Sequence, residues 1–272
     1  MTTRLSNFNY KREKRRKKSN SLFTTSKLLR RDAFGNVVFL KRSLISLLAT
    51  TTYWRFNIFN KLEVEGMEHL ENLPDTNVLF ISNHQTYYSD VIAFYHVFSS
   101  AKWGFNNHIN LPLYVLSPRA NTYYVAAEET MKQSGLLPKI FSLTGAVTVR
   151  RSWRSKGQSV NRGADTSAPD KIKKALSEGW VVNFPQGTTS PYAPIRKGTA
   201  NLIKSFEPVV VPIVIDGFRR AFDKKGLKLK KRGSTLRVRI KPPMNYQKDD
   251  KIEDIVAKVQ QEIEQVRPET VS

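Results

Sequence analysis

Apolar residues come in short runs along this chain, and the period of each run assigns it to a strand or a helix. Leu62-Glu63-Val64-Glu65-Gly66 alternates and stops at a glycine, the pattern of a half-buried strand. Asn77–Ser82 is apolar almost throughout and predicts a buried strand. The next predicted helix spans Ser89–Ser99, where Val91, Phe94, Tyr95 and Phe98 fall at helical spacing with Ile92 beside them. Ala101–Phe105 and Thr122–Val125 predict short strands, separated by the apolar, proline-bounded loop Leu111–Pro118. Residues 135–143 predict a helix and Ala146–Val149 a strand. Residues 152–168, rich in Ser, Gly and Arg, predict a flexible loop. Pro169 or Asp170 opens a helix that ends at Gly179. Then come a strand over Trp180–Phe184, a helix over Gly198–Phe206 and strands over Val209–Ile215 and Leu236–Ile240. Asp249 is expected to cap a last helix through Gln265, with Ile252, Ile255, Val256, Val259 and Ile263 on one face. Strands alternating with helices argue for an α/β fold, a mixed sheet covered by helices.

Ahead of this alternation the pattern changes. Residues 1–35 predict a basic arm, helical around Ser26–Ala33, and residues 36–60 predict one amphipathic helix. The uncharged part of that helix, Ser43 to Trp54, is too short to cross a bilayer core. With Lys41, Arg42 and Arg55 as basic flanks and Tyr53, Trp54 and Phe56 as aromatics, it describes a segment lying in the headgroup region. An ordinary helix packed on the core is the other reading of the same residues. Residues 61–272 then form the α/β domain.

Composition sharpens this picture. The chain has 272 residues and a formal net charge of +22, with no cysteine. Disulfides, thiolate metal sites and cysteine nucleophiles are excluded. The four histidines, His69, His84, His96 and His108, show no metal-ligand spacing, so no metal is expected. The charge is concentrated: residues 1–31 carry eleven Lys/Arg, and residues 217–241 carry eleven more. Such clusters seek polyanions, either nucleic acid or an anionic membrane. The run Lys11–Lys18 would suit nucleic acid, but no zinc spacing or RNA-recognition signature accompanies it. No secretory signal is expected, since no apolar run and small-residue cleavage site follow the charged start.

The candidate chemistry sits where predicted strands give way to loops. Asn83-His84, with Asp90 following, comes after the apolar run Val78–Ile81. Phe184-Pro185-Gln186-Gly187-Thr188-Thr189-Ser190 comes after Trp180–Val182. A strand-end His with an Asp, beside a strand-end loop of Pro, Gly and hydroxyls, is how a fold assembles a base and an anion cradle at one rim.

In that order, four blocks resemble the glycerolipid acyltransferases, the family of 1-acylglycerol-3-phosphate and related lysophospholipid acyltransferases. Asn83-His84 with Asp90 is similar to the family's N-H-x4-D. Gly145-Ala146-Val147-Thr148-Val149-Arg150-Arg151 is similar to its glycine–apolar–arginine block. Phe184–Ser190 is similar to F-P-E-G-T-R-S, and Val211-Pro212-Ile213-Val214 to its apolar-proline strand. The blocks span residues 83 to 214, about half the chain.

The resemblance implies transfer of a fatty acyl group from acyl-CoA or acyl carrier protein to the free hydroxyl of a lysophospholipid, foremost 1-acyl-sn-glycerol 3-phosphate, giving phosphatidic acid. It implies His84 as base and Asp90 as its partner, and Pro185, Gln186, Gly187 and Thr188 as the oxyanion or substrate loop. Arg151 and Arg150 would hold the acceptor phosphate, with Arg154 nearby, while Asn83, Gly145 and Pro212 would shape the motif. Arg196, Lys197 and Gly198 could meet the donor or the lipid surface. No cofactor is implied. The implied partners are the donor, the lyso-lipid and a bilayer with anionic lipids, not nucleic acid, and the implied place is peripheral or monotopic at the cytoplasmic face of a membrane.

The chain also departs from the family. Five residues, not four, separate His84 from Asp90, so Ser89 stands at the family's Asp offset. Asp90 can meet His84 only if the turn bulges at Tyr87-Tyr88-Ser89; otherwise Ser89, Glu128 or Glu129 would take its place. Gln186 replaces a Glu, Thr189 an Arg and Ala127 a Lys. These changes keep open acylation of a different lyso-lipid, such as an aminoacyl lipid, and an inactive membrane- or nucleic-acid-binding relative.

Overall fold

The described part of the chain enters the fold through a helix, α1 (Val38–Asn57), and then alternates between strands and helices. The computed structural model describes residues 29–105, 112–152, 154–155, 158–159, 163 and 165–267. Most of the basic arm, residues 26–28 of the helix expected around Ser26–Ala33, and His108 lie outside the described residues, and residues 29–33 are not helical, Arg31 instead bridging Val37. After α1 come β1 (Lys61–Glu65), a 3-10 turn (Met67–Leu70), β2 (Val78–Ser82), α2 (Ser89–Lys102) and α3 (Leu113–Leu116). Then follow β3 (Thr122–Ala127), α4 (Glu128–Met131), α5 (Leu136–Leu143), β4 (Ala146–Val149), β5 (Arg154–Ser155) and β6 (Gln158–Ser159). The chain continues through α6 (Ala168–Leu176), β7 (Trp180–Asn183), α7 (Lys197–Phe206), β8 (Val209–Asp216), α8 (Phe218–Ala221), β9 (Thr235–Ile240) and α9 (Ile252–Glu262).

Seven strands form one sheet in the order β1-β9-β8-β2-β7-β3-β4. From β8 to β4 every neighbour is parallel, while β9 runs antiparallel to β8 and parallel to β1. The sheet is therefore mixed, as predicted. The carboxyl ends of β2, β3, β4, β7 and β8 open on one rim, where α/β sheets place their ligands. Successive residues of β2 divide between two cores. Val78 and Phe80 face α1, α2 and α5, whereas Leu79 and Ile81 face α6, α7 and α9. Helices thus cover both faces.

Helix α2 is buried from Ser89 to Ser100, on all sides. Phe98 packs on Phe80 of the sheet, and His96 meets Phe56 of α1 on the other side. That double cover explains why its apolar residues extend beyond one stripe. His96 is held beside the Tyr114 hydroxyl at 3.1 Å, and burial pulls its pKa down to about 3.

α1 departs from the amphipathic expectation, because apolar residues occupy two of its sides. Ile45, Leu48, Ala49 and Phe56 are buried in the core. Burial of large side chains such as Ile45, Leu48 and Phe56 contributes about 1.5–3 kcal/mol each, so the helix is part of the packed body. Leu40, Leu47 and Trp54 recur every seven residues on the exposed side, continued by Ile58. The polar Lys41 is buried instead: its Nζ donates to Asn121 Oδ1 (2.9 Å) and lies 3.4 Å from the Tyr123 ring centroid. None of the helices among the described residues is long and apolar enough to cross a membrane.

Three further expectations are corrected. Ala101–Phe105 is not a strand, because Ala101 and Lys102 complete α2. The Trp103 N–H bonds back to the carbonyls of Ser99 (3.2 Å) and Ser100 (3.0 Å), and Gly104 turns the chain at φ +80°. Leu113–Leu116 forms one helical turn inside the expected loop. Asp249 does not cap the last helix; Lys251 precedes it without a side-chain cap, after a turn in which Asp250 accepts the Gln247 N–H (3.0 Å). Residues 152–168 contain the antiparallel pair β5–β6 and otherwise lie partly outside the described residues.

Candidate active site

β2 ends at Ser82, and Asn83 continues the sheet with its side chain. The Asn83 amide donates Nδ2–H to the Ile215 carbonyl (2.9 Å) and accepts the Ile215 N–H (2.8 Å). This peptide-like pair fixes the end of β2 against β8 and sets where His84 begins. The His84 ring stacks on Phe184 at the end of β7, with centroids 3.9 Å apart.

His84 Nδ1 lies 2.9 Å from Asp90 Oδ2. Opposite a carboxylate, Nδ1 carries the proton, which leaves Nε2 as the acceptor. Asp90 is fully buried. Its carboxylate also accepts the N–H of Gln85 (2.6 Å), the N–H of Thr86 (3.0 Å) and the Thr86 hydroxyl (2.7 Å). The five-residue turn therefore does absorb its extra residue. α2 starts at Ser89, Asp90 falls in its first turn, and Ser89 points its hydroxyl at Gly226 instead.

Facing His84 is the loop after β7. Pro185, Gly187, Thr188 and Thr189 line the same cleft as His84, a space of about 1280 Å³. Gly187 adopts φ +63°, and its N–H is donated to the Phe184 carbonyl (2.9 Å). The Gln186 side chain, in contrast, is buried away from the cleft. Its Nε2 donates to the Ala193 carbonyl (2.9 Å) and to Gln265 Oε1 (3.1 Å), and that Gln265 oxygen also accepts the Tyr192 N–H (2.9 Å). Gln186 thus ties the loop to the segment that follows the last helix.

The second block reaches the cleft at the end of β4. Arg151 donates Nε and Nη2 to Glu129 Oε1 (3.2 and 2.7 Å) and Nη1 to the Gly187 carbonyl (3.1 Å). It holds the loop after β7 as well as facing the cleft. Arg150 lines the cleft with an exposed side chain, while its N–H is donated to Asp165 (2.9 Å). The side chain of Arg154 lies outside the described residues. Arg196, Lys197 and Gly198 all line the cleft, with Lys197 paired to Glu253 (2.7 Å).

Gly145 and Pro212 act on the frame. A Cβ at Gly145, where φ is +113°, would meet the Thr122 carbonyl at 2.5 Å. Pro212 sits opposite Ile81 in β8 and accepts the Lys241 N–H (2.9 Å). Beyond the polar end of the cleft, Val125, Val149, Ile172, Leu202 and Phe206 line an apolar limb.

Two residues of this rim were not expected. Thr86 anchors Asp90 twice. Arg219, at the start of α8, donates its guanidinium to the Thr189 carbonyl (2.5 Å) and its N–H to Gln85 Oε1 (3.0 Å). A hydroxyl two positions after His84 was a local hint of the first. Nothing local announces the second, since Arg219 looks like one more cation in a basic segment.

A family model described as Acyltransferase matches residues 61–216. The chain belongs to the acyltransferase family. Every residue of the candidate site from His84 to Arg196 lies inside the matched span. Among solved structures, the chain is similar to the 1-acyl-sn-glycerophosphate (LPA) acyltransferase PlsC from Thermotoga maritima. The identity is 20%, over 82% of this chain and 77% of that one, with a TM-score of 0.49. A comparison with curated proteins finds no match.

Proposed function

We propose that this acyltransferase moves a fatty acyl group from the thioester of acyl-CoA or acyl carrier protein to the free hydroxyl of a lysophospholipid. The acceptor is 1-acyl-sn-glycerol 3-phosphate and the product phosphatidic acid. The observation that carries the reading is the His84–Asp90 pair, 2.9 Å apart, on the cleft that the loop after β7 also lines.

In this reading His84 Nε2 takes the proton of the acceptor hydroxyl as the oxygen attacks the thioester carbonyl. Asp90 keeps the proton on Nδ1 and stabilises the imidazolium formed in the transition state. The oxyanion of the tetrahedral intermediate is met by the loop at Gly187 and Thr188, where the Thr188 amide is the donor. Collapse breaks the carbon–sulfur bond, and the leaving thiolate recovers the proton from His84. The apolar limb along Val125, Val149, Ile172, Leu202 and Phe206 suits an acyl chain. Arg150 and Arg151, with Arg219 across the loop, supply cations for the acceptor phosphate.

The reading includes attachment to the cytoplasmic face of a membrane. Its support is the exposed row Leu40, Leu47 and Trp54 on α1, continued by Ile58 just beyond it, with Arg232 stacked over Phe59 at 4.5 Å. Trp54→Glu with Ile58→Glu should reduce flotation with anionic liposomes; unchanged flotation would move the attachment elsewhere.

The test of the reaction is a product-resolved transfer assay, pairing acyl-CoA and acyl carrier protein donors with a panel of lyso-lipids. Phosphatidic acid as the main product supports the proposal. A second reading, acylation of a lyso-lipid without a terminal phosphate, is favoured by Thr189, since a threonine offers that headgroup no charge. Preference for an aminoacyl lyso-lipid would establish it, and absence of turnover with every acceptor would remove both.

A further inference from the structure

The extra residue between His84 and Asp90 has a structural counterpart far along the chain. Three consecutive residues of the catalytic turn bond three consecutive carbonyls of the segment after α8. The Tyr87 N–H donates to Lys224 O (3.1 Å), the Tyr88 N–H to Lys225 O (3.0 Å) and the Ser89 hydroxyl to Gly226 O (2.5 Å). These pairings hold Tyr87 and Tyr88 outside the helix, so that α2 begins only at Ser89 and Asp90 in its first turn faces back towards His84. Buried donors need partners, and here all three are taken by one segment.

That segment is itself closed. Asp223 accepts the N–H groups of Leu227 (2.7 Å) and Lys228 (2.9 Å) on its carboxylate and that of Gly226 (2.8 Å) on its carbonyl. Phe222 bridges Leu229, and the Arg55 guanidinium of α1 donates to the Leu227 carbonyl. Gly226 is the point of closest approach. It has φ +77°, and a Cβ there would lie 2.6 Å from the Ser89 nitrogen, 2.8 Å from the Ser89 hydroxyl and 2.8 Å from the Thr86 hydroxyl. Thr86 is the residue that anchors both oxygens of Asp90.

We propose that the Asp223–Leu227 turn is a positioning element of the His84–Asp90 pair. Its carbonyls hold the lengthened catalytic turn, and Gly226 is the position that lets them approach. The inference rests on the reading of His84 as the base, but its consequence for the His84 ring can be measured without turnover. A misplacement of about 1 Å at a reacting group costs about a hundredfold in rate.

The test uses the full chain with 15N-labelled histidine, the His84 signals being assigned by their loss in His84→Ala. The wild type should show His84 protonated on Nδ1 and bare on Nε2. Gly226→Ala should mix the two tautomers and lower kcat about a hundredfold, with the donor KM unchanged, because the donor cleft is untouched. Gly233→Ala is the control. Gly233 has φ +69° and nothing within 4 Å, so the substitution brings the same backbone strain without the collision, and both readouts should hold. Should Gly226→Ala lose its cooperative unfolding transition, Ser89→Ala decides: it removes one of the three bonds and adds no atom. It should lower kcat roughly tenfold and weaken the tautomer preference. Retention of both tautomer and kcat in the deciding variant overturns the proposal, as does equal damage from Gly233→Ala. A wild-type protein with the Nδ1–H tautomer but no acyl transfer would sink the proposed function and leave the positioning role standing.

Discussion

Asp90 Oδ2 stands 2.9 Å from His84 Nδ1 and accepts the Gln85 and Thr86 N–H groups on the same oxygen. The carboxylate is thereby held in one place before any substrate arrives, and it fixes the ring that it faces. Asp90→Asn keeps the shape but offers the imidazolium no charge and can reverse the tautomer. His84→Ala should abolish transfer, and Asp90→Asn should lower kcat by about a hundredfold to ten-thousandfold, with both proteins folded. Steady-state kinetics and circular dichroism check this. Retention of more than about a tenth of wild-type turnover in His84→Ala would take the residue out of the base role.

Gln186 is a departure from the family that its surroundings explain. Its amide nitrogen faces two oxygens, the Ala193 carbonyl and Gln265 Oε1, so the position calls for a donor. A glutamate there would bring a buried charge against two acceptors. Gln186→Glu should therefore destabilise the fold by about 1–3 kcal/mol or more, although it restores the family's residue. Urea unfolding decides it, and a variant as stable as the wild type would show that the Gln265 contact contributes little.

The strands and the site were legible where the information is local. Runs such as Val78–Ile81 and Trp180–Val182 announce buried strands, and a strand end announces a rim, so strand ends together with the family resemblance brought His84 and Gly187 to one cleft. Ala101–Phe105 failed because the run straddles the end of a helix: Ala101 closes α2, while Trp103 and Phe105 lie in the turn beyond it. The turning of Gln186 away from the cleft depends on Gln265, 79 residues on. The partners of Ser89 and Thr189, Gly226 and Arg219, are brought there by the path of β8 across the sheet, which no short window contains. Lys41 misled for the opposite reason: a basic residue in a helix reads as surface, and here a tyrosine face and an asparagine oxygen take it inside.

Lys41 makes stability depend on pH. Burial pulls its pKa down from 10.5 to about 7, against the opposing pull of Asp32 and Glu178. Between about pH 7 and 10.5 the unfolded chain holds a proton on this lysine that the folded chain lacks, so stability gains with rising pH across that window. Below pH 7 both states are charged and the folded protein bears the full cost of the buried ammonium. Lys41→Met removes that cost and leaves Asn121 Oδ1 without its donor, a loss of about 1–3 kcal/mol. The variant should be more stable than the wild type by a few kcal/mol at pH 6, on the order expected for this shift, with the advantage shrinking towards pH 9. Denaturant titrations at both pH values measure the difference. A gap that widens with pH would contradict the assignment.

The last prediction concerns the cations around the acceptor. Arg151 spends its guanidinium on Glu129 and on the Gly187 carbonyl, so it supports the loop proposed to meet the oxyanion. Arg219 reaches the same loop from the other side, at Thr189, the position where the family's pattern has an arginine, and it is exposed. The two should therefore fail differently. Arg151→Ala frees the Gly187 carbonyl and leaves the Glu129 carboxylate beside the substrates, so kcat should fall along with a rise in acceptor KM. Arg219→Ala leaves the His84–Asp90 pair in place and removes one cation from the headgroup's reach. A charged hydrogen bond to phosphate contributes about 1.5–3 kcal/mol, so the acceptor KM should rise about tenfold to a hundredfold with kcat nearly kept. The donor KM should not move. Arg219→Lys should recover part of the loss, since the charge returns without the fork. An Arg219→Ala enzyme with unchanged KM for a phosphate-bearing acceptor would leave that headgroup to Arg150 and Arg151. An effect equal for acceptors with and without a terminal phosphate would mean that Arg219 acts on the loop through Thr189 rather than on the lipid.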